Sequence, residues 1–277
     1  MKLRVALMLL MGWSLIACTP TVSNNAQDLL DVALSHYKKA QYASAKLLLD
    51  SIHRQFPTQI DIRKKAQSLM CHIEQQEEMR SMSYYDSIIP LVQQQVDQAA
   101  RNFVWTDTVY QTEKSYIHTY FSKQTPKTGL YCEVSEQGEL RLISVYTGPK
   151  LDHVCVKVTN KEVFAQTDTV PLTDVRNYRF TDLGIRWEYV TFTHQNQSNV
   201  LEFIATYVDH PLQVTLWGKR PYTYALPAKT AQAIEASVRL AEQTAFLHQL
   251  QQSYHKSTNK LLWLQQKITA SDSLSVF

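Results

Sequence analysis

The chain has 277 residues, with 28 Lys and Arg against 25 Asp and Glu and 44% hydrophobic residues. That apolar content excludes wholesale disorder, and a formal charge of +3 spread along the chain excludes the concentrated basic face a nucleic-acid partner wants. A chain of this length buries one large core or two modest ones.

The first segment carries Lys2 and Arg4, then an apolar run from Val5 to Ile16 that ends in Leu15-Ile16-Ala17-Cys18. The run is too short for a stable membrane-spanning helix and has the charged start and apolar middle of an export signal. Its last four residues resemble the lipobox of bacterial lipoproteins. The resemblance implies cleavage before Cys18, lipid on its thiol and on the freed amine, and anchorage to a membrane by acyl chains. More than one such chain holds a protein stably on one leaflet. Losing residues 1–17 removes Lys2 and Arg4, so the formal charge falls from +3 to +1.

Residues 18–27 read as the lipidated Cys and a flexible leash. No acidic cluster follows Cys18; in Bacteroidota such a cluster resembles the signal that exports lipoproteins to the cell surface. The expectation is therefore an outer-membrane anchor facing the periplasm.

Residues 28–103 read as helical. Apart from Gly12, every Gly lies between Gly129 and Gly218, and Gly is costly inside helices. From Asp28 to Pro57 the pattern is a helical hairpin. Val32, Ala33 and Tyr37 share one face, Tyr42, Ala45, Leu49 and Ile52 the next, and Pro57 closes the unit. Ala33 and Ala45 mark where the two helices approach, with Tyr37 and Tyr42 over the turn. This phrase resembles a tetratricopeptide repeat, although the Trp and Gly of the usual pattern are missing and no second copy follows. Ile62, Ala66, Leu69 and Ile73 then form the seam of a long helix ending near Met82. Tyr85, Ile88, Val92, Val96, Ala99 and Phe103 form a second, with a break expected near Asp86 because of Pro90.

Residues 104–227 change to a period of two. Leu140 and Leu142, Val154, Val156 and Val158, Ile185, Trp187 and Tyr189, Leu201, Phe203, Ala205 and Tyr207, then Leu212, Val214 and Leu216 alternate with polar neighbours. Seven or eight short strands with turns between them predict an antiparallel sandwich or partly closed barrel. Cys132 reads as inward and Cys155 as outward, so the expectation is three unpaired thiols at Cys71, Cys132 and Cys155. Residues 228–277 return to helix, with a break at Lys256-Ser257-Thr258-Asn259 and a frayed tail. The helix is expected to pack back on the N-terminal helices, completing an α+β fold.

Motifs for chemistry are missing from the sequence. There is no G-x-S-x-G, P-loop, G-x-G-x-x-G or H-E-x-x-H, and no Cys/His spacing suited to zinc. Asp152-His153 and Asp209-His210 read as ordinary turn residues. No cofactor and no reaction are expected. Two surfaces remain for binding. Lys38, Lys39, Arg63, Lys64 and Lys65 are basic residues able to meet a protein partner or anionic lipid, or to form the solvated faces of amphipathic helices. Tyr131, Tyr146, Phe192 and Trp217 fall opposite the inward seams and are candidates for a glycan or lipid ligand. The layout as a whole resembles uncharacterised lipoproteins of Bacteroidota, which implies an envelope location and no particular activity. The expectation is a non-enzymatic scaffold or protein-interaction module, with a tethered glycan- or lipid-binding β module as the alternative.

Overall fold

A computed structural model describes residues 25–106, 114–123 and 126–274, with side chains as far as residue 270. The export signal, Cys18 and the leash up to Asn24 lie outside the described residues. The chain divides into two units, one of residues up to Glu77 together with those from Leu261 on, the other running from Glu78 to Lys260. The division falls within two long helices.

In the first unit, α1 (Ala26–Lys38) and α2 (Tyr42–Gln55) form the predicted hairpin. Asn25 starts α1 by accepting from the Gln27 N–H, the usual way a short polar side chain satisfies an open helix end. Ala40 takes φ 57° between the helices. Ala33 and Ala45 are fully buried, as the spacing requires, because only a small side chain lets two helix backbones close up. The rings of Tyr37 and Tyr42 meet 6.0 Å apart over the turn. Val32, expected on the buried face, is 45% exposed; Ala26 and Leu30 complete the α1 seam instead. Ala66, Leu69 and Ile73, from the start of α3 (Ile60–Ala99), close this small core.

Helix α3 runs unbroken for 40 residues with Pro90 inside it, so the expected break near Asp86 does not occur. Pro90 lies on the exposed side, where water can take the carbonyl that proline leaves unpaired. The opposite side is held by packing: within the second unit, Val92 and Val96 meet Leu240, Leu247 and Leu250 of α6 (Ala228–Leu274). Here the long C-terminal helix packs back on α3, as expected. Helix α6 is also continuous, and the Lys256–Asn259 run does not break it. Thr258 donates its hydroxyl to the Tyr254 carbonyl inside the helix, and Ser257 is buried.

Ten strands are present among the described residues, in two antiparallel sheets. The larger contains β1 (Phe103–Thr106), β2 (Ser115–His118), β3 (Gly129–Ser135), β4 (Leu140–Thr147), β7 (Asn177–Asp182) and β8 (Ile185–Phe192), ordered β1-β2-β3-β4-β8-β7. The smaller contains β5 (Cys155–Asn160), β6 (Val163–Gln166), β9 (Gln213–Trp217) and β10 (Tyr222–Ala225), ordered β10-β9-β5-β6. Their inner faces share one apolar core. Leu130, Cys132, Leu142, Val190 and Phe192 come from the larger sheet and Val156, Val158, Val214 and Leu216 from the smaller. Ile234, Val238 and Ala241 of α6 close it.

Three expectations fail inside this region. Phe103, read at the end of the helical seam, begins β1, and the described residues hold ten strands rather than seven or eight. One stretch read as a strand is helical. The Leu201–Tyr207 stretch is not a strand but α5 (Val200–Thr206). Val200, Leu201 and Ile204 are its buried residues, a helical stripe that the alternation of Leu201, Phe203 and Ala205 concealed. Gln197 fixes its start, accepting from the Leu201 N–H and donating to Glu202. Cys155 stands on the face of β5 away from Val156 and Val158, opposite Trp217, as expected, yet it is buried, because the chain after β6 folds back along β5. Thr167 donates its N–H to the Val156 carbonyl, and Val170 donates to that of Val154. The Cys155 thiol donates to the Thr167 carbonyl at 3.4 Å. Cys71, Cys132 and Cys155 are all free and buried.

Candidate functional site

The four aromatics singled out in the sequence do not converge. Phe192 is fully buried in the sandwich core, and Tyr146 is 6% exposed on the same inner side. Both were expected on the outside. Trp217 is 43% exposed, but it ends β9 of the smaller sheet. Tyr131 alone lies on the outer face of the larger sheet, the face away from the shared core. For Tyr146 the alternation of β4 already places it inward, in phase with Leu140 and Leu142; for Phe192 the misreading is traceable to β8. The sequence pattern makes Ile185, Trp187 and Tyr189 the inward set, whereas Glu188, Val190 and Phe192 are the buried residues. A buried glutamate inverted the apparent pattern.

That inversion exposes an aromatic surface. Cross-strand pairing sets Tyr178 opposite Tyr189 and Phe180 opposite Trp187, so all four rings stand on one face of β7 and β8. The Phe180, Trp187 and Tyr189 rings are 6.0, 6.0 and 6.2 Å apart with planes within 23° of parallel. Near-equal separations exclude a simple column, in which the end rings would be twice as far apart. Tyr178 lies 5.5 Å from Phe180 and is 60% exposed. The register continues the face across the sheet: Tyr189 is opposite Val145 and Ile143 is opposite Tyr131, while Ile117 is opposite Glu133, whose carboxylate, 3.7 Å from Arg141, bounds the apolar part. Ile117, Phe121, Tyr131, Ile143 and Tyr189, with Ser122 and Glu133 as polar members, line a groove of about 190 Å³ in this face. Gly129 pairs with Val145, so β3 contributes no side chain there.

Behind the other face of β8 lies a second, polar constellation. Glu188 is fully buried. It accepts from the backbone N–H groups of Leu151, Asp152 and His153 at 2.8 to 3.0 Å. It also accepts from Arg186 Nε at 3.2 Å and His153 Nδ1 at 3.0 Å. Successive N–H groups aimed at one anion form a nest, and Asp152, at φ 55°, supplies the left-handed residue that turns them inward. Burial works against the ionised carboxylate. The hydrogen bonds from His153 and from the backbone of Asp152, His153 and Leu151 outweigh it and hold the Glu188 pKa far below the usual carboxylate range. Gly218 abuts this loop so closely that any side chain would clash with the Leu151 and Asp152 backbone.

His153 Nε2 lies 3.1 Å from Ser144 Oγ. Ser144, His153 and Glu188 thus have the connectivity of a serine hydrolase relay. In the folded sandwich the three side chains are sealed from solvent: all three residues are fully buried, and the loop N–H groups of Leu151, Asp152 and His153 are committed to Glu188. Asp152-His153, read in the sequence as a plain turn, is instead the junction between β4 of one sheet and β5 of the other.

The basic residues have separate fates. Lys38, Lys39, Lys64 and Lys65 are exposed. Arg63 is committed locally, donating to the Pro57 carbonyl at 2.9 Å and approaching His53 Nδ1 at 3.4 Å. Pro57 thus ends the hairpin as a bonded turn. No group of His, Cys, Asp and Glu arranged to hold a metal occurs among the described residues, and none of their helices is long and apolar enough to cross a membrane. The fold and its surfaces define a two-sheet β module carried on long helices. Comparison with protein-family models, curated proteins and solved structures found no match to this chain.

Proposed function

We propose that the protein is a non-enzymatic interaction module, tethered to the cell envelope through lipid on Cys18, that engages a protein partner with the outer face of its larger sheet. The observation that carries the reading is the apolar strip on that face, from Ile117 and Tyr131 to the four rings of Tyr178, Phe180, Trp187 and Tyr189. Contiguous exposed apolar surface marks a binding site in soluble domains, and Tyr and Trp dominate interface energetics. The hairpin with Lys38 and Lys39 offers charge and single exposed aliphatic residues such as Leu34 and Leu47, but no set of four adjoining rings like that on the sheet. A glycan is the second reading, favoured by the same rings, since aromatic faces pack well on sugars.

A photoreactive amino acid replacing Tyr178 should form one discrete adduct in intact cells, and the same group replacing Lys38 should form none. An adduct from position 38 alone, or from neither position, overturns the reading. Loss of the Tyr178 adduct on addition of envelope glycans, without any protein in the adduct, moves the assignment to the glycan. The tether has its own test. Cys18→Ser should leave uncleaved precursor or release the protein from the membrane fraction. Normal processing together with membrane retention would refute lipid anchorage.

A further inference from the structure

We propose that the corner of the sandwich built by Lys150, Arg179, Arg186 and Lys219 binds a doubly charged oxyanion of the phosphate type. Four cations converge there on the single carboxylate of Asp152. Arg186 Nη2 lies 2.8 Å from Asp152 Oδ1, and Arg179 Nε lies 3.9 Å from the same oxygen. Lys219 Nζ and Lys150 Nζ lie 3.4 and 3.5 Å from Oδ2.

The charge count is unequal. Two carboxylates, Asp152 and Glu188, face four permanent cations in this cluster, which leaves a surplus of two positive charges. One doubly charged oxyanion balances it. A metal ion is repelled by the same surplus, and a lone carboxylate ligand would neutralise only half of it.

Donors remain to receive such a ligand. The lysine distances to Asp152 exceed the roughly 2.7–2.9 Å of a charge-assisted hydrogen bond, and an ammonium carries three donors. The Lys150 and Lys219 side chains are 57% and 64% exposed, whereas that of Asp152 is 6% exposed. The two lysines therefore stand on the solvent side of the carboxylate they share, with Arg179 and Arg186 more buried behind them. Arg179 Nη2 is buried and has no hydrogen-bond partner among the described residues. Arg220, on the same turn as Lys219, adds a further positive charge near Tyr146.

The frame is fixed in advance of any ligand. Glu188 clamps the loop that carries Asp152, Lys219 donates its backbone N–H to the Leu151 carbonyl at 2.9 Å, and Gly218 seals the contact between the two turns. The backbone therefore needs no ordering on binding, which favours affinity, and only the two lysine side chains remain to be fixed.

The test uses the full chain in detergent, titrated calorimetrically with inorganic phosphate and with glycerol 3-phosphate at constant ionic strength set by chloride. Saturable binding is expected, and Lys150→Gln with Lys219→Gln should weaken it roughly tenfold or more. Circular dichroism of both proteins checks the fold, and Lys219→Ala alone serves as a second variant. Tighter binding of inorganic phosphate assigns a free oxyanion, and tighter binding of glycerol 3-phosphate assigns a lipid headgroup. No heat beyond the chloride control, or equal affinity in wild type and lysine variants, overturns the proposal.

Discussion

Glu188→Ala should destabilise the β module by about 3–5 kcal/mol, the range for removing one partner from a buried charge network. The loss follows from what the carboxylate holds. Its removal strands the N–H groups of Leu151, Asp152 and His153, together with His153 Nδ1 and Arg186 Nε. Each buried donor left without a partner costs about 1–3 kcal/mol, and relaxation or water entry recovers part of that sum. Domains of this kind have only about 5–15 kcal/mol in hand, so the variant should unfold at much lower urea concentration. Glu188→Gln, which keeps one acceptor oxygen, should fall between wild type and Ala. An Ala variant with wild-type midpoint would show that the β4–β5 junction does not depend on this carboxylate.

The same residue sets a pH limb. The Glu188 pKa lies below its ordinary value of about 4.5, so the unfolded chain takes up a proton at higher pH than the folded one. The stabilisation is complete above that ordinary value and declines as pH falls beneath it. Glu188→Gln should flatten this part of the stability profile. The Asp174 carboxyl, depressed to about 2 by its hydrogen bonds from Arg176, is only partly buried, so water screens the pair and it should contribute far less to the limb.

Legibility in the sequence followed the character of each element. The hairpin was readable because Ala33 and Ala45 sit at helical spacing and close packing leaves room for nothing larger. The α+β class was readable because the glycines cluster in the strand region. The faces of the strands were harder, since an alternation of two has two phases and the choice rests on which set is apolar. On β8 both sets were mixed: Trp187 and Tyr189 outside, Glu188 with Val190 and Phe192 inside. A sequence pattern prices a glutamate as exposed, and only the nest formed by residues 151–153, more than 30 positions away, reverses that price. Helix α5 was lost for a related reason, because over seven residues a strand and a short helix share too many apolar positions to be told apart. The basic residues on the hairpin were visible as charges, but Arg63's bonds to Pro57 and His53 depend on the turn geometry. The aromatic face and the Asp152 corner are products of register, and register is a tertiary fact.

Trp187→Ala combined with Tyr178→Ala should abolish partner capture while leaving the fold intact. Tyr178 is the more exposed of the two rings, and Trp187 faces outward from β8 beside Phe180, so neither truncation opens a hole in the shared core. Their contribution to binding is a different matter. Aromatic anchors at an interface cost about 2 kcal/mol or more when truncated, and 2 kcal/mol corresponds to roughly a thirtyfold loss of affinity. Lys38→Glu with Lys39→Glu provides the opposing case. Both lysines lie on the exposed end of the hairpin, where substitutions shift stability by only about 0.5 kcal/mol. If the partner docks on the sheet, charge reversal on the hairpin should leave its recovery unchanged. Measured side by side by co-purification after crosslinking in cells, the two variants separate the surfaces. Retention by the aromatic double variant, with loss on charge reversal, would place the binding face on the hairpin and reject the sheet.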